Sequence, residues 1–311
     1  MRVGLLYQRA GTGVEVTAAV EQIVAADRLG FDSVWLEDRR GEEGAFGSLP
    51  VALAALARRT RGVRLGGFTV AALDHPAATA EDFAVADLVS GGRLNFGVSV
   101  GSRPEDFRAH GVPFEERGAR LREALEIVLA AWAFDEFSYG GRYYRFPAHV
   151  APGSGLARRR LGREPRAPQW ERGPETPDFL TVTPKPLQEP RPPVWVLAED
   201  EGWVVFAAER GHSVVLPSAD PERLAAAAEI YDDALTRAGR ARSEVELAVI
   251  VELPLAGGRV APGTVEKLHR IHGATGANHV LWRVPHPGTG PVELEAALRQ
   301  FAAEVQPLLQ A

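Results

Sequence analysis

The sequence predicts an α/β protein: a single (β/α)8 TIM barrel with a long excursion between its fourth helix and its fifth strand. Three observations carry this prediction. Eight short apolar runs are each followed by a longer segment of helical period, the alternation expected of βα units wound around a parallel sheet. The stretch 91–111 reads as a turn, an apolar strand, a glycine-bounded loop and an acidic helix start, which is how a barrel presents residues at a strand's carboxyl end. The regularity breaks in one place, between the fourth helix and the fifth strand.

Arg2–Tyr7 is the first strand, and Val14–Leu29 follows with helical period and stops at Gly30. Ser33–Leu36 and Leu49–Arg58 form the second pair, and Val63–Val70 with Pro76–Leu88 the third. The turn Gly91-Gly92 introduces the fourth strand, Leu94–Val98, which leads to the long helical segment Phe114–Ala133. Beyond the excursion, Val194–Leu197 pairs with Gly202–Glu209, and Ser213–Leu216 with Pro221–Ala238. Asp220-Pro221 has the N-cap and first-turn proline of a helix start, and Gly239 stands where that helix should end. Val245–Leu253 precedes Pro262–Thr275, closed by Gly276, and Asn278–Arg283 precedes Glu293–Leu309. In the excursion, aromatic runs around Gly140-Gly141 read as a β-hairpin over 137–146. Ala151–Pro193, rich in proline, glycine and arginine and including Arg158-Arg159-Arg160, shows no clear secondary structure and is expected to be a lid or a surface loop. One domain is expected over 1–311, with the hairpin and lid loop at about 137–193.

The chain has 311 residues, 45% hydrophobic and 24% charged, which suits a globular protein able to bury a large core. A net charge of −6 gives no global attraction to nucleic acid or to an anionic membrane, and neither is expected as a partner. There is no cysteine, which excludes disulfides, thiolate metal sites and cysteine nucleophiles. The start runs directly into Val3-Gly4-Leu5-Leu6-Tyr7 without the basic flank of a signal peptide, no apolar run approaches membrane-spanning length, and a cytoplasmic location is expected. Gly11-Thr12-Gly13 and Gly257-Gly258 lack phosphate-loop spacing and read as turns, and His269, His272 and His286 do not make up a zinc set, so no metal is expected.

A barrel gathers its site from the loops at the carboxyl ends of its strands. Those positions are Tyr7 and Gln8; Glu37, Asp38, Arg39 and Arg40; Ser99, Ser102 and Arg103; Glu199 and Asp200; Ser218; Glu252; and Arg283. Several carboxylates and arginines at one mouth suit a polar ligand and proton transfer, or pair with each other around the rim.

Several motifs, in order along nearly the whole chain, resemble the bacterial luciferase-like flavin-dependent monooxygenases. They are Gly30-Phe31-Asp32-Ser33-Val34-Trp35-Leu36-Glu37, His75-Pro76 with Glu81-Asp82, the 91–111 stretch, Gly111-Val112-Pro113-Phe114-Glu115-Glu116-Arg117, and Thr183-Pro184-Lys185-Pro186-Leu187-Gln188 leading to Pro192-Pro193-Val194-Trp195-Val196. Phe301, Glu304-Val305 and Pro307-Leu308 close the pattern. The resemblance implies an oxidoreductase that takes reduced FMN from a separate reductase and inserts one oxygen atom of O2 into a small organic substrate. The alternative it implies, in some branches, is F420 as the cofactor. A homodimer, or a heterodimer with a homologous barrel, is the implied assembly.

On the resemblance, Asp38, Arg39 and Glu37 face the reacting flavin edge, and Phe68, Thr69 and Val70 lie under the ring system, where many members have a non-proline cis peptide. Ser102 and Arg103, with Ala198, Glu199 and Trp203, surround the phosphate end. The chain departs from the family pattern at three places. Asp38-Arg39-Arg40 stands where many members carry histidines, Val100 stands where an arginine often precedes the glycine, and the fifth-helix turn reads Ala198-Glu199-Asp200-Glu201-Gly202-Trp203. These departures, with a short connection after Leu253, leave open a noncatalytic subunit without cofactor that pairs with an active homologue.

Overall fold

All eight expected strands form, and they pair in parallel into one closed barrel in a computed structural model that describes residues 1–8, 13–40, 46–159, 179–217, 220–284 and 290–310. Numbered along the chain, the barrel strands are β1 (Arg2–Tyr7), β2 (Ser33–Glu37), β3 (Arg64–Thr69), β4 (Leu94–Ser99), β8 (Val194–Leu197), β9 (Ser213–Leu216), β10 (Leu247–Val251) and β13 (His279–Val284). They stand in chain order around the ring, and β13 closes on β1. The chain divides into two compact units, 1–69 with 93–99 and 193–311, and 70–92 with 100–192.

The first unit holds the barrel strands with helices α1 (Gly13–Leu29), α2 (Leu49–Arg59), α6 (Glu201–Arg210), α7 (Pro221–Arg237), α8 (Thr264–Thr275), α9 (Pro291–Gln300) and α10 (Gln306–Gln310). Strand alternation decides what fills the lumen. Leu6, Trp35, Phe68, Trp195 and Leu281 meet in one buried cluster, and the Trp35 and Phe68 rings stack at 4.7 Å and 13°. Glycines on neighbouring strands make room for them. A Cβ on Gly66 would overlap the Trp35 indole, and one on Gly97 would lie 2.6 Å from Phe68 Cδ1.

Below these rings a polar chain closes the amino-terminal end of the barrel. Trp35 Nε1 donates to Ser33 Oγ at 2.9 Å, and the same oxygen shares a hydrogen bond with His279 Nε2, also 2.9 Å away. His279 Nδ1 lies 3.7 Å from Glu246 Oε2, and Arg2 meets the same carboxylate at 2.5 Å. Burial pushes the Glu246 carboxyl up, but the His279 ring and the Arg2 guanidinium outweigh it and hold the group below its usual range.

Beyond shifts of a residue or two at element ends, two stretches of this unit carry structure that was not expected. The strand expected over Val245–Leu253 shortens to Leu247–Val251, and the next residues turn into a small hairpin, β11 (Leu255–Ala256) with β12 (Arg259–Val260). The terminal helix expected over Glu293–Leu309 starts earlier, at Pro291, and is interrupted by a π turn at Phe301–Val305, where Phe301 stacks on Phe31 at 5.8 Å.

The second unit contains α3 (Pro76–Ser90), α4 (Pro104–Ala109), α5 (Arg117–Ala133) and a three-stranded antiparallel sheet. The expected hairpin is present as β5 (Glu136–Gly140) and β6 (Arg145–Phe146). The excursion carries more structure than its composition suggests. β7 (Gly155–Arg159) pairs along the other edge of β5, and Leu180 bridges Phe137. The pairing is long-range, so Pro, Gly and Arg content did not reveal it; 160–178, including Arg160, lie outside the described residues. Asp87 is fully buried and accepts from the Leu187 and Gln188 amides and Gln188 Nε2 at 2.7–2.9 Å, while Lys185 Nζ donates to the Ala131 and Phe134 carbonyls that end α5. Burial lowers the Lys185 pKa.

Candidate functional site

Alternation fixes which strand-end side chains reach the lumen. Trp35 and Leu6 point inward, so Glu37 and Gln8, two residues on, continue on the lumen side. There the Glu37 carboxylate accepts from Gln8 Nε2 at 2.7 Å on one oxygen and from Arg39 at 3.3 Å on the other. Asp38 follows the opposite parity. Its N–H continues the ladder to the Phe68 carbonyl at 3.1 Å, its carboxylate is 1% exposed, and Arg40 grips both oxygens at 3.0–3.1 Å. The three residues expected at the flavin edge thus divide into Glu37 with Arg39, and Asp38 with Arg40.

Tyr7, expected at the mouth, is fully buried with its hydroxyl 3.4 Å from Gln22 of α1, and burial raises its pKa. Phe68 and Thr69 are buried at the end of β3, Phe68 with its ring against Trp35. Val70 belongs to an apolar cluster of the second unit with Ala72 and Phe107. Among the described residues the cis peptides all precede proline, at 147, 184 and 190, and the 68–70 segment has none.

The residues expected at a phosphate are occupied otherwise. Gly101 adopts φ +79°, and a Cβ there would press on Val70 and Phe107 at 2.8 Å, so the loop needs glycine. Ser102 is exposed, and Arg103 donates to Glu105 at 2.9 Å with Asp106 at 3.8 Å, so its charge meets the first turn of its own helix. In the fifth-helix turn, Ala198 is buried, Glu199 is exposed, and Asp200 caps α6 by accepting from the Trp203 amide at 3.1 Å. The Trp203 ring packs edge-on to Phe206 at 5.0 Å. This turn does not fit a phosphate dianion: an amide that would receive one is bound to Asp200, and Glu199 and Glu201 add negative charge.

Two strands round the ring from β2, Arg283 of β13 donates to Glu252, just past β10, at 2.9 Å. Beside them is a cavity of about 360 Å3, also lined by Lys267 and Arg270 of α8. Sequence reasoning missed both cations, although their spacing of three on a helix, next to apolar Ile271, marks one shared face. Ser218 and His286 lie outside the described residues, and no described helix is long and apolar enough to cross a membrane.

The family model for the luciferase-like monooxygenases matches residues 1–259. The oxygenase component of a flavin-dependent trigonelline monooxygenase from Acinetobacter baylyi is 28% identical over 199 residues, 63% of this chain and 46% of that protein. An F420-dependent glucose-6-phosphate dehydrogenase from Amycolatopsis mediterranei is 33% identical over 168 residues, 46% of this chain and 50% of that one. The matches thus span about half the length of these curated relatives. In fold, the chain resembles the oxygenating constituent of 3,6-diketocamphane monooxygenase from Pseudomonas putida, solved in complex with FMN, with a TM-score of 0.77 at 17% identity over 99% of this chain and 98% of that one. With the barrel and the family model agreeing over most of its length, this chain belongs to the luciferase-like monooxygenase family.

Proposed function

We propose that this protein is a flavin-dependent monooxygenase that inserts one oxygen atom of O2 into a small organic substrate, with reduced FMN supplied by a separate reductase. The observation that carries the reading is the Glu37 carboxylate, inward-facing at the carboxyl rim of the barrel and held between Gln8 and Arg39, in a chain of this family. Glu37 is the group placed to hold or move a proton at the mouth, and Arg39 orients it. Asp38, buried and gripped by Arg40, secures the loop behind it. F420 is the alternative cofactor, supported by the dehydrogenase relative. A homodimer or a pairing with a homologous barrel completes the reading.

The acidic α6 turn favours a second reading, a noncatalytic barrel that pairs with an active homologue. Anaerobic calorimetric titration with reduced FMN, oxidised FMN and F420 separates the two. Micromolar or tighter binding of a reduced cofactor is expected; no binding of any of them would transfer the chemistry to a partner barrel.

A further inference from the structure

The cavity at the carboxyl ends of β9, β10 and β13 joins apolar walls to an excess of positive charge. Leu224, Ile250 and Ile271 supply the apolar part, while Lys267, Arg270 and Arg283 face the single carboxylate of Glu252. Three cations against one carboxylate leave a net charge of +2 on the lining. Glu252 engages only part of the Arg283 fork, through NH1, and the buried Arg283 Nε has no hydrogen-bond partner among the described residues. An N–H hidden from water without an acceptor costs free energy, so the arrangement calls for an acceptor beyond the described residues. Lys267 Nζ donates to the Glu252 carbonyl at 2.7 Å, which fixes the ammonium at the edge with further donors to offer. Gly263, at φ +80°, opens α8 at the same cavity, and the positive end of that helix dipole adds to the field.

We propose that this cavity binds the anionic end of an organic ligand, a carboxylate, sulfonate or phosphate carried on an apolar body. The planar Arg283 and Arg270 groups take the anion, with Lys267 as a point charge, and the apolar body lies against Leu224, Ile250 and Ile271. A volume of about 360 Å3 is in the range of small-molecule sites. The α6 turn is acidic and capped, whereas this cavity presents net positive charge at the strands' carboxyl ends among the described residues. The anion-bearing molecule is either the substrate or, where the proposed flavin function holds, the cofactor through its phosphate.

The test is calorimetric titration of the full-length chain with hexanesulfonate and with uncharged 1-hexanol, at low and high ionic strength. Hexanesulfonate is expected to bind saturably, about tenfold or more tightly than hexanol, and more weakly as salt rises. Arg270→Gln, on the exposed face of α8, and Arg283→Met are each expected to weaken it about tenfold, while Arg237→Gln on α7 leaves it unchanged. Hexanesulfonate binding no better than hexanol, or unchanged in Arg270→Gln and Arg283→Met, overturns the proposal; Arg270→Gln keeps the test decisive if Arg283→Met does not fold. Parallel titration with FMN and riboflavin assigns the source. FMN binding tighter than riboflavin, with the difference lost in Arg270→Gln, supports the cofactor phosphate; equal flavin binding beside retained hexanesulfonate binding supports a substrate anion. Retained hexanesulfonate binding without any flavin binding supports the cavity proposal and defeats the flavin reading alone.

Discussion

Removing the guanidinium of Arg40 should destabilise the protein through Asp38 rather than through Arg40's own surface. The Asp38 carboxylate is 1% exposed and receives three contacts at 3.0–3.1 Å from that guanidinium. Breaking a buried pair by deleting one partner typically costs about 3–5 kcal/mol, because the remaining buried charge loses that counter-ion. Arg40 is 24% exposed, so water reaches one side of the pair, and the expected cost of Arg40→Met is near the lower end, about 3 kcal/mol. Neutralising both groups in Asp38→Asn with Arg40→Met should recover most of this, leaving a loss of about 1 kcal/mol. Urea unfolding of the wild type, both single variants and the double variant closes the cycle. A loss below about 0.5 kcal/mol for Arg40→Met, within the range of ordinary surface substitutions, would refute the argument that Asp38 is a structural carboxylate. So would a double variant no more stable than Arg40→Met.

Other consequences follow from the same geometry. Glu37→Gln should fold with stability within about 1 kcal/mol of wild type yet slow turnover by about 10²-fold or more, measured as substrate-dependent oxygen consumption with a flavin reductase; unchanged turnover would remove Glu37 from the chemistry. Gly97→Ala places a Cβ 2.6 Å from Phe68 and 2.7 Å from the Gly67 carbonyl, and should cost about 1–3 kcal/mol in denaturant unfolding. Because Glu246 is held below its ordinary range in the folded state, its stabilisation is present at neutral pH. It should fall as pH drops through the ordinary carboxylate range, about 4–5, and be lost below the folded-state value. Unfolding free energies measured from neutral to acid pH should therefore fall more steeply in the wild type than in Glu246→Gln.

The eight barrel strands and the helices between them were legible because apolar runs, helical period, Asp220-Pro221 and the glycine stops are local signals. The family motifs lie on those same elements, which is why the barrel and its order of strands agreed with expectation. The candidate site was legible only as a set of strand-end positions. The list around 37–40 named strand-end positions without their partners, and the mouth list included Tyr7, which strand parity turns into the core.

Local composition and period fix which segments become strands and helices and which residues stand at their ends. Tertiary structure decided who faces whom. The barrel's inside and outside set Glu37 against Gln8 while sending Asp38 to Arg40. The pairing of β5 made a strand of 155–159, and the packing of α8 at the ends of β10 and β13 brought Lys267 and Arg270 to the cavity of Arg283. The physical reason is the same in each case: alternation and period are properties of neighbouring residues, whereas a partner across the barrel exists only once the ring has closed.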